Sequence, residues 1–311
     1  MSDRENGDAA MDSRLRGNDG GHPTEARKHG EQRREFGLLA AIVVASPVLV
    51  GVGYSVLGAL GVAGPGADGL GMRHVQSVVA DGATWRGLLW SLWIASASTA
   101  IAAVLAMAVA TVFRGGRVSD RLVRFMALGP LPVPHVVAAL CGLLIFSQSG
   151  LLSRIAFATG LHSSPADMPA LTNDRYGIGL ILTLVWKEFA FLALVAFSVI
   201  ARRGAALEET ARSLGAGALQ SFRVAVLPAL WRGLLPSIVA VFTFVAGNYE
   251  AAVLLAPSTP LALPLLTMER FTDSALGVRG EAFVLVLLAM VVSIAGVAAH
   301  EWAAGRAEAG D

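Results

Sequence analysis

An all-α, polytopic bundle of about six transmembrane helices is the fold this sequence predicts, and three observations point to it. The chain is 55% hydrophobic and only 15% charged, with a mean hydropathy of +0.62, whereas a soluble domain carries roughly a quarter charged residues. Several of its runs exceed the ~18 apolar residues that mark a membrane helix. The arginines gather in alternate connections between those runs, as the positive-inside rule requires of a multi-pass protein.

The elements follow in order. Met1 to about Glu35 is rich in Gly, Asp, Asn and Arg and nearly devoid of apolar residues, so it is expected to be a disordered extension (1–35). Within it, Met11–Gly20 has the composition of translated non-coding repeat, which leaves the true start open between Met1 and a downstream position. The first apolar run is too long for a cleavable signal and is expected to be a retained span. The predicted spans are Gly37–Val62, Arg86–Phe113, Phe125–Gln148, Tyr176–Ala201, Gly233–Ala256 and Ala282–Trp302, within a membrane domain covering 36–304. Arginines before the first span, after the second (Arg114, Arg117, Arg121, Arg124) and after the fourth (Arg202, Arg203, Arg212, Arg223, Arg232) place both termini and the 205–228 loop in the cytoplasm. The single cysteine, Cys141, lies inside the third span and reads as a packing residue.

The polar segment Leu207–Gly215 sits between two long apolar runs. Glu208 and Glu209 open a short helix at the positive end of its dipole, and Glu208 with Arg212 makes an i,i+4 pair in the better orientation. Leu207, Ala211 and Leu214 form an apolar stripe. Gly215 and Gly217 break the helix, and Pro228 suits the first turn of the next. From the residues alone two readings stand: a helix docked in the groove of a soluble partner, or one resting on lipid headgroups.

This segment resembles the signature of the membrane subunits of type I ABC importers: Glu-Ala-Ala, three residues, Gly, nine residues, Ile, one residue, Leu-Pro. Glu209, Ala211, Gly215, Leu227 and Pro228 meet it at the right spacing, while Thr210 and Ala225 depart from it. The resemblance covers about 86–302. It implies the type I importer permease fold in a bacterial inner membrane, with Glu208, Glu209, Ala211, Arg212, Gly215 and Pro228 coupling to a cytoplasmic ABC ATPase dimer. It further implies a second permease subunit (the same or a homologous chain), a periplasmic substrate-binding protein, and no nucleic acid partner. Trp186–Phe189, Asn248–Leu255 and Gly129–His135 are loosely similar to the polyamine, thiamine, ferric iron and phosphonate subgroup.

The function expected is therefore a permease subunit that forms the translocation path; a secondary transporter or channel that needs no ATPase is the alternative. No enzymatic activity and no cofactor are expected. The only lysines, Lys28 and Lys187, lie outside any P-loop pattern, and the six histidines show no metal-ligand spacing.

Charges inside the predicted spans complete the candidate residues. Lys187 and Glu188 fall near the middle of the fourth span, where an unpaired charge costs about 2.5–3.5 kcal/mol. Neighbours on a helix point about 100° apart, so they satisfy each other poorly. Glu250 lies at comparable depth on the next span, so a Lys187–Glu250 pair is expected, as a static bridge or a gate. Contact of Glu188 or Glu250 with a cationic substrate is a third reading, and Asn248 joins them as a path residue. His135, among prolines, is read as a kink-associated polar contact. Trp90 and Trp93 are read as packing residues or interface anchors.

Overall fold

The computed structural model describes residues 23–161, 163–164 and 167–309, and no strand occurs among them. The chain divides into two compact units, residues 1–54 and 55–311. Among the described residues, six helical runs are long and apolar enough to cross a membrane: Glu35–Ala59, Gly82–Val112, His135–Ala158, Ile178–Arg202, Leu219–Ala246 and Leu276–Trp302.

The first helix, α1 (Pro23–Ala59), begins thirteen residues before the predicted membrane domain at 36. Pro23 suits a first helical position, and the Glu, Ala, Arg, Lys and Gln residues after it are strong helix formers. The disorder expected of 1–35 is thus replaced by helix from Pro23 on; Met1 to His22 lie outside the described residues.

In the second unit, the short α2 (Arg73–Ala80) precedes α3 (Gly82–Val112), whose first turn is capped by the Asp81 carboxylate accepting from the Ala83 N–H. One face of α3 is built of small residues, among them Ser91, Ala95, Ser98, Ala102, Ala106 and Ala110, all buried. Small side chains at this spacing let helix backbones approach closely where lipid supplies no hydrophobic drive. Against that seam pack α7 (Ile178–Val199) and α10 (Leu227–Ala246).

The third predicted span, Phe125–Gln148, is not one helix. It separates into α4 (Val118–Leu128), a proline segment, and α5 (His135–Phe146), followed by α6 (Leu151–Ala158). Pro130, Pro132 and Pro134 each remove an N–H donor, so three alternate positions cannot continue the helical ladder and the break is local chemistry. The fifth predicted span, Gly233–Ala256, is also divided. α10 ends at Gly247, and a separate α11 (Tyr249–Leu255) starts at Asn248, whose side chain accepts from the Ala251 N–H at 2.8 Å. Two further helices, α12 (Leu263–Thr272) and α13 (Leu276–Ala309), pack on each other and close the bundle. Arg270 bridges Asp81 (2.8 Å) and Glu281 (3.2 Å), tying the starts of α3 and α13 to α12.

Candidate functional site

The polar segment after the fourth span is helical without interruption from its apolar neighbour. α7 passes through a π-type turn at Ile200–Gly204 directly into α8 (Ala205–Ser213). On the return, α9 (Ala218–Ser221) passes through a second π-type turn, Phe222–Val226, into α10. Pro228 has no N–H to donate and its ring crowds the carbonyl one turn back; the wider turn just before it takes up that crowding. The result is a helical hairpin with its tip at residues 214–217.

The tip is a Schellman cap. Gly215 has φ +88°; its N–H bonds to the Arg212 carbonyl (2.9 Å) and the Ala216 N–H to that of Ala211 (3.0 Å). Those two bonds use carbonyls that a helix end leaves unsatisfied, and the left-handed residue between them favours glycine. A Cβ at Gly215 would meet nothing within 4 Å, so the constraint is on the backbone and not on space.

Glu208 holds the hairpin from behind. Its carboxylate accepts from Arg114 at 2.7 Å and, four residues on, from Arg212 at 2.7 Å. Its own carbonyl lies 3.4 Å from the buried Ser221 hydroxyl across the hairpin. Arg114 follows the end of α3, so the Glu208 carboxylate joins the end of α3 to α8, and its main-chain carbonyl reaches α9. The other predicted coupling residues lie on the outside: Glu209 is exposed and has no ion-pair partner among the described residues, Ala211 is half-buried, and Pro228 is exposed. Leu214 (84% exposed), Leu219 and Val224 present bare apolar side chains near them. Sequence reasoning missed Arg114 because its partner lies 94 residues away; a basic residue just past a span end was the only signal.

The second group of predicted residues lies midway along α7. The pairing expected of Lys187 with Glu250 is not formed. Lys187 Nζ instead points to the Leu131 carbonyl at 3.4 Å, and Glu188 takes His135 as its partner, Oε1 to Nε2 at 3.0 Å. The break at Gly129–Pro134 explains both contacts, since it frees a main-chain acceptor at span depth and starts α5 on His135. Glu250 is exposed in the first turn of α11, drawn there by the helix start that Asn248 caps. Lys187 and Glu188 are both buried, beside a cavity of about 300 Å³ that Phe191 and Phe244 also line. Asn248, itself buried, is occupied in capping and stands apart from that cavity.

Comparison with known proteins agrees with this architecture. The chain is 28% identical over 244 residues to the inner membrane ABC transporter permease protein YnjC of Escherichia coli (strain K12), a match covering 75% of this chain and 45% of that protein. It is 27% identical over 161 residues to the sulfate transport system permease protein CysT of Synechocystis sp. (strain ATCC 27184 / PCC 6803 / Kazusa), covering 51% of each. The chain thus spans about half the length of the curated relatives it matches. Its fold superposes on a chain of a crystallised bacterial ABC transporter involved in the import of the acidic polysaccharide alginate, with a TM-score of 0.66 at 16% identity. That superposition covers 88% of this chain and 98% of the other. The profile of one family, described as binding-protein-dependent transport system inner membrane component, matches residues 102–308. With two thirds of its length inside that match and the six-span helical fold to go with it, the chain belongs to this family of ABC transporter permeases.

Proposed function

We propose that this chain is a permease subunit of an ATP-driven, binding-protein-dependent importer, in which it lines the solute path and its 205–228 hairpin receives the stroke of a separate ATPase. One observation carries the reading: the hairpin is locked from behind by Glu208 yet bare in front at Glu209, Leu214 and Leu219. A rigid element with an uncovered tip transmits a push; a loose one would absorb it.

In this scheme the hairpin and both termini face the cytoplasm, as the arginine distribution favours. The functional partners are a cytoplasmic ABC ATPase dimer, a second permease subunit and a periplasmic binding protein. ATP hydrolysis resides in the partner, since neither Lys28 nor Lys187 sits in a phosphate-binding loop. Closure of the ATPases moves α8. The unbroken helical path takes that motion into α7, and the Glu208–Arg114 bridge takes it into α3. The two membrane-facing states then differ in their contacts with the ATPase, which is the only way a stroke shifts their balance.

The test is co-expression with the ABC ATPases of the same genome, one at a time. Gly215→Asp and Glu209→Arg should abolish co-purification while both variants still insert in the membrane. Nucleotide-independent solute movement by the purified chain in proteoliposomes, unchanged by either substitution, would instead identify a channel or secondary carrier and end this reading.

A further inference from the structure

The end of α3 far from Glu208 carries a second constellation that plays no part in the coupling scheme. Arg86, Trp90 and Trp93 recur at helical spacing and share one face of α3. The indole N–H of Trp90 donates to the Arg175 carbonyl at 2.9 Å, and that of Trp93 to the Tyr176 carbonyl at 3.0 Å. These two bonds pin the segment before α7 onto that face. Asp174 stiffens the same segment by accepting from the Tyr176 and Ile178 N–H groups at 2.9 and 2.8 Å. Gly177, at φ +69°, lets the chain turn into α7 against Trp90 and Ile94, where a Cβ would collide.

The outcome is a cavity of about 770 Å³ whose walls include Arg86, Arg175, Trp90, Trp93 and Tyr176. Neither guanidinium has an ion-pair partner among the described residues, and the nearby acids are engaged: Asp174 with backbone N–H groups, Asp81 with Arg270. Arg86 and Arg175 are both exposed, so water solvates them at rest, and the concave, aromatic-walled site at the end of a membrane span leaves two guanidinium forks open to an incoming anion. A planar fork matches the oxygens of a tetrahedral anion bidentately, and indoles suit the level of lipid headgroups.

We infer that this cavity is a binding site for a phosphate- or sulfate-type anionic group, gripped by Arg86 and Arg175 over the Trp90–Trp93 wall. The group is either a free oxyanion or the phosphate of an anionic phospholipid. The site does not depend on the coupling scheme: a chain that binds no ATPase still has the cavity.

Two arms separate the sources. In nanodiscs of phosphatidylcholine alone, the purified full chain is titrated with inorganic phosphate and with sulfate while tryptophan emission is followed. In detergent with added phosphatidylglycerol, retained lipid is counted by native mass spectrometry. One arm should show saturable binding that is at least tenfold weaker in Arg86→Gln and in Arg175→Gln. In parallel, wild-type protein is treated with phenylglyoxal and the modified arginines are mapped. The bound anion or lipid should protect Arg86 and Arg175 but not Arg154, a readout that stands even if a variant fails to fold. Binding in neither arm, binding unaltered by the substitutions, or labelling of Arg86 and Arg175 unchanged by either ligand would overturn the site.

Discussion

At one end of α3 the guanidinium of Arg114 is shared with Glu208; at the other, about 40 Å along the helix axis, that of Arg86 faces a cavity with no acid paired to it. Between them, at mid-depth on the adjacent α7, Glu188 is buried against His135. Charge is thus used in three ways. Where it is paired at a helix end it fixes a hairpin, where it is paired inside the bundle it fixes a helix break, and where it is unpaired in a concave site it is left for a ligand. Perturbing each position should therefore give effects of different size and kind.

The interior position should cost most. Removing the buried Glu188 carboxylate leaves the half-buried His135 without its partner, a penalty of about 1–3 kcal/mol. Glu188→Ala should lower the apparent melting temperature in detergent more than Gly215→Val, Arg114→Gln or Arg86→Gln does. Glu188→Gln, which still offers an oxygen to His135, should recover much of the loss. Equal destabilisation by the two Glu188 variants would mean that the contact with His135 contributes little and that Glu188 matters through its volume alone.

The hairpin tip tests backbone rather than charge. Gly215 has open space where a Cβ would go, so a side chain there meets only the left-handed backbone penalty of about 1–2 kcal/mol. Gly215→Asn, whose side chain tolerates that region, should keep more stability and more ATPase co-purification than Gly215→Val. An identical outcome for the two would show that φ is not what the position demands. A larger loss with Asn would point to a partner surface pressed closely against the tip.

How far these features are legible in the sequence depends on how local they are. Gly215, and Glu208 with Arg212, act within one or two helical turns, so spacing alone forecasts the bend and the i,i+4 pair; Pro228, read as opening a new helix, instead lies in a helical path continuous from Ala218, just after the π-type turn. The six spans are legible for the same reason, through uninterrupted apolar composition. The ends and breaks are less so. Three prolines alternating with Leu131 and Val133 blend into a predicted span because hydropathy averages over them, although each removes a donor. The Lys187–Glu250 pairing fails because its depth argument assumes two unbroken helices. The breaks at Pro130–Pro134 and Gly247–Asn248 change both which groups lie opposite α7 and where Glu250 begins its own helix. Arg114–Glu208 and the Arg86–Arg175 cavity join residues some 90 positions apart, and no periodicity within one segment carries that information.

The two ends of α3 give the finest contrast. The Arg114 side chain is 34% exposed, so solvent screens its bridge and Arg114→Gln should cost at most about 1 kcal/mol. Because Arg212 still holds Glu208, that cost should fall further at high salt, and a double-mutant cycle with Glu208→Gln should return a coupling energy of the same small size. Arg86→Gln breaks no bridge, so its effect on melting in an anion-free, zwitterionic environment should stay within about 0.5 kcal/mol. The two substitutions should part in function. If the bridge carries the stroke, Arg114→Gln lowers the transport gained per ATP hydrolysed although the protein is nearly as stable as the wild type. Arg86→Gln leaves that ratio unchanged. A drop in the ratio for both would mean that the two ends of α3 act as one unit; a drop for neither would route the stroke through α7 alone.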